Sequence, residues 1–224
     1  MSKYRIKFTK HGTATYISHL DLMRTMHRVF IRADLKVKHS EGFNPHPKMV
    51  FAMPLSVGTE SECELLDFEL DIDVEPEKIP GMLNATMPEG ITVTDCYIPE
   101  TKFKEISWLT VTGRFEYDDA SAFEKSEALT DFYVADSIVI RKKTKRGEAD
   151  VDIKPLIREI CFSASDKNTV TVFATVAAGE KVLNPELIAG ALEQLAPNLK
   201  PDFTKFRRMQ MCKENENSSI IAFR

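Results

Sequence analysis

Within the first 72 residues the hydrophobic period of the chain switches from 2 to 3.6 and back to 2. Residues 4–9 alternate Tyr4, Ile6 and Phe8 with Arg5, Lys7 and Thr9, the period of a strand that buries one face. From Ser18 onward the spacing is helical: Leu22, Met23, Met26, Val29, Phe30 and Ala33 share one arc, and Arg24, Arg28 and Arg32 run down the opposite side. Ser18 is a helix N-cap, with Asp21 three residues on closing a short capping box. Residues 64–72 alternate again, Leu66, Phe68, Leu70 and Ile72 against Asp67, Glu69 and Asp71. Each such face needs a partner layer.

The remaining elements extend the pattern. Residues 35–39 read as a short extended piece, 48–55 as an apolar strand ended by Pro54, 76–87 as a short helix with Pro76 near its start, and 91–98 as a strand. Residues 3–99 thus run strand, helix, strand, strand, helix, strand. After a linker at 99–104 the plan repeats: strand 108–117, helix 118–129 with acids in its first turn, and strand 133–142 leading into a basic loop. Residues 147–153 return, 157–163 and 169–174 are strands, and 203–212 closes. Asn184 caps a last helix that has Pro185 in its first position and buries Leu187, Ile188, Ala191, Leu192 and Leu195. The fold class this order predicts is α+β: two tandem ferredoxin-like (βαββαβ) sandwiches, antiparallel sheets with helices packed on one face. The domains fall at 1–100 and 105–212, the second carrying an extra hairpin, and 213–224 is a polar tail expected to be mobile up to its last residues.

Composition narrows the class. With 43% hydrophobic and 29% charged residues the chain reads as soluble and globular, and no apolar run reaches the roughly 18–20 residues of a membrane span. The first residues lack a signal-peptide core, so a cytoplasmic location is expected. Cys63, Cys96, Cys161 and Cys212 stand singly, which argues against a local zinc or iron–sulfur site and for reduced, mostly buried thiols. Walker, GxGxxG, HExxH and GxSxG spacings do not occur, and no cofactor is assigned. Charge is bipolar: residues 1–54 hold ten Lys or Arg against Asp21, Asp34 and Glu41, whereas 55–100 hold twelve acids against Lys78. Such a first half can turn a basic face to a polyanion although the formal net charge is −4.

All five histidines, His11, His19, His27, His39 and His46, lie in the first 46 residues. Imidazole titrates near neutral pH, so this crowding marks a candidate site. His19 falls in the apolar arc of the helix. His46 sits in the Gly42-Phe43-Asn44-Pro45-His46-Pro47 loop, stiffened by prolines on both sides. The ligand-binding candidates are Ser18, His19, Asp21, Phe43, Asn44, His46 and Lys48, with His19 and His46 the acid–base candidates. His39 could converge on His19 too, but a metal site from His19, His39, His46 and Asp21 or Glu41 matches no established ligand spacing, and none is assigned. Ser18, His19 and Asp21 point in different directions from a helix start and form no catalytic triad. The nucleic-acid candidates are the stripe Arg24, Arg28 and Arg32, whose forks suit phosphate, and the basic tip Arg141, Lys142, Lys143, Lys145 and Arg146.

Several of these residues carry a family likeness. Ser18-His19-Leu20-Asp21, Arg28, Arg32-Ala33, Ser40-Glu41-Gly42-Phe43-Asn44-Pro45-His46-Pro47, Pro54-Leu55, Val57-Gly58, Ser61 and Glu64 resemble the radical-SAM-linked protein family, a bacterial domain of unknown function. Residues 150–157, Asp-Val-Asp-Ile-Lys-Pro-Leu-Ile, look like a further segment of it. The resemblance implies a cytoplasmic protein whose partner is a radical SAM enzyme, encoded among genes concerned with RNA. The chain lacks a CxxxCxxC cluster motif, which makes it the stand-alone partner. The family has no established activity, so no catalytic residue follows from it. The element order is also similar to RAMP-type endoribonucleases, although their glycine-rich C-terminal loop is missing here. Three readings follow: an RNA-binding or substrate-presenting partner in tRNA or rRNA modification or processing, a metal-independent endoribonuclease using a histidine, or a protein–protein adaptor contacting its partner through the acidic stretch 60–77.

Overall fold

The computed structural model of the chain describes residues 3–144 and 147–224. Its contacts divide it into two compact units, Met1–Phe103 with Arg224, and Lys104–Phe223. Both are mixed α+β, and the strand pairings within each are antiparallel.

The first unit runs β1 (Lys3–Lys10), α1 (His19–Arg32), β2 (Met49–Phe51), β3 (Glu60–Glu69), α2 (Ile79–Asn84) and β4 (Ile91–Tyr97). β1 pairs with β4 and β3, and β2 pairs with β3, which gives the order β4-β1-β3-β2. The register sets Tyr4 opposite Phe68 and Ile6 opposite Leu66. These side chains join Met26 and Phe30 of α1, Leu83 of α2 and Val93 of β4 in one apolar cluster, so both helices cover the same sheet face. Burying each such side chain is worth about 1.5–3 kcal/mol, which makes this cluster the main support of the unit. Phe30 meets Phe68 edge-on at 4.7 Å between ring centroids.

On the other face the alternation of residues 64–72 misleads. Asp67 is buried, and the reason is its cross-strand partner: Arg5 Nε donates to Asp67 Oδ1 at 2.6 Å and Arg5 Nη2 to Oδ2 at 3.1 Å. Arg5 also donates to Thr101 and lies over the Phe103 ring at 4.2 Å, with no exposure at all. A charge can be buried when it is paired and its remaining donors are satisfied. β3 is therefore covered on both faces, Cys63 and Leu65 included, whereas Ile72 lies beyond the strand and is exposed.

Other boundaries shift for local reasons. Residues 35–39 make only bridges, Val37 to Leu70 and His39 to Pro47, and the strand read at 48–55 shrinks to three residues between Pro47 and Pro54. Residues 76–78 form a 3-10 turn before the six-residue α2. Met23, assigned to the apolar arc of α1, is exposed.

The second unit runs β5 (Trp108–Glu116), α3 (Ala122–Val134), β6 (Val139–Thr144), β7 (Gly147–Asp152), β8 (Ile157–Ala164), β9 (Thr169–Ala177), α4 (Glu186–Leu195), β10 (Phe203–Glu214) and β11 (Ile220–Ala222). Its main strands lie in the order β10-β5-β9-β8, while β6 and β7 form a separate hairpin. Gly113 of β5 leaves room for Phe206 of β10: a Cβ there would lie 2.6 Å from the Phe206 ring. α3 continues through Tyr133, where the sequence suggested a strand, because the Tyr133 ring packs on Phe162 and its hydroxyl donates to the Ile188 carbonyl at 2.5 Å. Asn184 Oδ1 accepts from the Glu186 amide at 3.2 Å, the cap read from sequence, but Leu195 is exposed.

The last residues of the tail, set apart in the sequence reading, fold back on β10. β11 pairs with the end of β10, Cys212 opposite Ala222 and Glu214 opposite Ile220, through a turn in which Asn215 Oδ1 accepts from the Asn217 and Ser219 amides. Phe223 is buried, and its amide donates to the Met211 carbonyl at 2.8 Å.

Candidate functional site

The capped end of α1 forms as its sequence dictates. Ser18 Oγ accepts from the Asp21 amide at 3.2 Å and donates to Asp21 Oδ2 at 2.7 Å, and Arg24 donates to Asp21 Oδ1 at 3.0 Å. The Ser18 hydroxyl first, and Arg24 second, hold the Asp21 carboxyl below the usual carboxylate range. Arg24, Arg28 and Arg32 all lie on the exposed side of the helix, opposite the buried Leu22, Met26, Val29 and Phe30. Arg28 and Arg32 form no ion pair among the described residues.

The histidines separate. His11 Nε2 lies 3.3 Å from Glu62 Oε2. The ring of His19 stands edge-on to Phe51 at 5.3 Å. His46 lies in a loop closed at its base, where Ser40 N donates to the His46 carbonyl at 2.8 Å and His46 N to Ser40 Oγ at 3.1 Å. With Lys48 it lines a hollow of about 280 Å³, in which Lys48 Nζ is 3.2 Å from Glu69 Oε2. Phe43 and Asn44 are exposed at the loop tip. Thus Ser18 and Asp21 satisfy each other, His19 meets Phe51 edge-on, and His46 shares its hollow with Lys48.

His27 and His39 are the pair that the fold brings together, with ring centroids 5.9 Å apart and planes at 71°. The cause is the end of α1. Asp34 adopts φ 56°, its amide donates to the Ile31 carbonyl at 3.1 Å, and the Leu35 amide reaches back to the Phe30 carbonyl at 2.9 Å. This is a Schellman ending, in which a left-handed residue stops the helix and an apolar contact, here Leu35 near Phe30, seals it. The chain then runs back beside the end of β3, with Lys38 N donating to the Glu69 carbonyl at 2.9 Å and Asp71 N to the Lys36 carbonyl at 3.0 Å. That path sets His39 against His27. Between them opens a cavity of about 470 Å³, lined by His27, Asp34, Lys36, His39 and Asp71 over an apolar floor that includes Phe30. Its size and mix of apolar floor and few polar groups are those of a ligand site. Of these lining residues only His39 stands out from sequence as a possible site partner; His27, Asp34, Lys36 and Asp71 do not. Asp34 in the place of a helix-ending glycine was the signal that could have found the turn. Among the described residues no group of three or more His, Cys, Asp or Glu is placed to hold a metal ion.

In the second unit Arg141 is engaged: its Nε lies 2.8 Å from Glu148 Oε2 and its amide donates to Gln194 Oε1 at 2.8 Å. Lys143 is exposed and Lys142 half-buried, while Lys145 and Arg146 lie outside the described residues. In the acidic stretch 60–77, Glu60, Glu64 and Asp67 are buried, whereas Asp71, Asp73, Glu75 and Glu77 are exposed.

Of the two α+β units, the first carries a cavity lined by His27 and His39 and, on α1, the exposed Arg24, Arg28 and Arg32. The chain belongs to the DUF2344 family, described as uncharacterized proteins conserved in bacteria, whose model matches residues 3–185. No curated protein matches it. Among solved structures, an unknown protein from Galdieria sulphuraria is similar at 8% identity, covering 92% of this chain and 98% of that one, with a TM-score of 0.27, too low to imply a shared fold. No helix among the described residues is long and apolar enough to cross a membrane.

Proposed function

We propose that the protein is a cytoplasmic RNA-binding or substrate-presenting partner of a radical SAM enzyme acting on tRNA or rRNA. The observation that carries RNA binding is the exposed row Arg24, Arg28 and Arg32, spaced about 6 Å apart along α1, with Asp21 its one acid. Guanidinium forks match phosphate oxygens bidentately, and Arg28 and Arg32 have no carboxylate partner among the described residues to compete with that use. Both units are read as ferredoxin-like sandwiches. The orders β4-β1-β3-β2 and β10-β5-β9-β8, each with a helix after its first and third strands, support this. The exposed Lys143 on the β6–β7 hairpin adds a second basic contact. The radical SAM partner rests on the motif resemblance alone.

Titrating binding of a bulk tRNA against salt tests the reading. The logarithm of affinity should fall linearly with the logarithm of salt concentration, and the double variant Arg28→Ala/Arg32→Ala should lower that slope by about two. Salt-independent binding, or no binding with and without the partner enzyme, overturns it.

A further inference from the structure

We infer that the sheet face of the second unit turned away from α3 binds single-stranded RNA, stacking bases on Phe173 and Phe203 with Arg114 between them on the phosphate chain. RNA as the ligand rests on the reading above, whereas the stacking face rests on strand register and is separate from α1. In β5 the buried Leu109, Val111, Gly113 and Phe115 alternate with Trp108, Thr110, Thr112, Arg114 and Glu116, none of which is buried. Phe115 packs with Phe162 and Phe206 on the side where the Tyr133 ring of α3 meets Phe162, so the second set looks outward. The register carries that outward side across all four strands. Cys161, Phe173, Thr112 and Arg207 form one row, and Ser163, Thr171, Arg114 and Lys205 the next, with Phe203 opposite Glu116 beyond them.

Phe173 lies on the inner strand β9 between the buried Val172 and Ala174, yet it is 38% exposed, and Phe203 is 54% exposed. Neither ring joins the packing of Phe115, Phe162 and Phe206. Aromatic rings on an open sheet are platforms for nucleobases, each of which has a π-face to lay on them. At 3.3 Å per residue and 4.8 Å per strand the two rings stand about 16 Å apart, a gap that the shortest single-strand sites, about four nucleotides, can bridge. Arg114 sits between them, exposed. Its Nη2 meets Glu116 Oε1 at 2.9 Å, and the rest of its fork has no partner among the described residues. Lys205 stands opposite Arg114 and Arg207 opposite Thr112, so the middle of the face is cationic, while Glu116 and Glu159 lie at opposite ends. Rings interleaved with cations suit bases and phosphates together; an acidic peptide would use the cations and leave the rings bare. At the far end the Arg158 guanidinium covers Trp108, 5.5 Å from the ring centroid, and pairs with Glu214 at 2.7 Å.

The experiment uses the purified full chain, a mixed-sequence single-stranded RNA, the same sequence as a duplex, and polyglutamate. Cys161 is exposed and stands beside Phe173 in the register, so its alkylation rate reads this face. The single strand should slow that labelling, whereas duplex and polyglutamate should leave it unchanged. Phe173→Ala should weaken binding of the single strand about 5- to 100-fold, the scale of one lost base stack, with the salt slope unaltered. Phe173→Tyr keeps the ring and should bind within about twofold, and circular dichroism melts of both variants guard against misfolding. Trp108 is the one tryptophan of the chain, so Phe173→Trp in a Trp108→Phe background places the fluorophore on the platform, where the single strand should quench it and polyglutamate should not. Salt-sensitive binding that Phe173→Ala does not weaken, with Cys161 labelled at its free rate, overturns the stacking face and leaves the α1 reading standing. Absence of any RNA binding overturns both. Equal protection of Cys161 by duplex or polyglutamate means that charge alone is read there, and overturns the inference.

Discussion

The two units lay their strands in corresponding orders, β4-β1-β3-β2 and β10-β5-β9-β8, yet they hold their polar side chains in different ways. In the first, charge is driven inward where Arg5 and Asp67 form a buried fork, while Arg24, Arg28 and Arg32 stay exposed along α1. In the second, the buried polar groups include phenols tied to the main chain, Tyr117 to the Leu199 carbonyl at 2.9 Å and Tyr133 to the Ile188 carbonyl at 2.5 Å. Burial pushes both phenols well above their usual range, and Asp119 and Asp202 add to this at Tyr117. Two units with corresponding strand orders thus separate into a half with ionisable groups at an opening and a half whose buried phenols stay neutral. The difference starts after the first helix of each unit. α1 ends in a tight left-handed turn that creates a cavity, whereas α3 passes into the β6–β7 hairpin.

The contrast can be broken most directly at the buried fork. Asp67→Ala removes the carboxylate facing Arg5 inside the protein and should cost about 3–5 kcal/mol in urea unfolding of the first unit. In the second unit, Gly113→Ala forces the Phe206 ring to move and should cost about 2 kcal/mol by the same measurement. Tyr133→Phe leaves the Ile188 carbonyl without its donor and should cost about 1–2 kcal/mol. If Asp67→Ala proves no more damaging than Tyr133→Phe, the distinction between an ion-anchored and a phenol-anchored half fails. Ser18→Ala removes a helix cap and should cost about 1 kcal/mol.

The pH dependence at that cap has a definite sign. The Asp21 carboxyl is held low in the folded state by Ser18 and Arg24, so its contribution is present above the unfolded carboxylate value and is lost as pH falls through the lowered folded one. The wild type should therefore lose more stability than Asp21→Asn on acidification. The gentlest test is thiol labelling. Burial pushes Cys96 in the first unit up to about 12 and raises Cys212 in the second, whereas Cys161 is exposed, so mass spectrometry after brief native alkylation should find the label on Cys161 first.

What the sequence showed was what depends on neighbours along the chain. The alternation at Tyr4, Ile6 and Phe8 and the cap at Ser18 are local physics and appear as read. Burial of Asp67 could not be read from alternation, because it depends on Arg5 across a strand pair formed 62 residues away. Tyr133 looked like the start of a strand because its neighbours favour one, and tertiary contacts with Phe162 and Ile188 kept it helical. The histidines teach a similar point. Crowding along the chain is not convergence: His19 and His27 lie about 12 Å apart along one helix axis, and which imidazole meets which is decided by the backbone turn at Asp34.

That turn also makes the imidazole pair a self-contained cassette. His27 and His39 stand twelve residues apart with the turn between them, and closing so short a loop costs little chain entropy. Their spacing is thus set by that turn together with the bonds that hold residues 36–38 to the end of β3. Sequence drift elsewhere in the sheet can raise or lower the stability of the whole unit while the distance between the two rings stays as the helix ending fixes it.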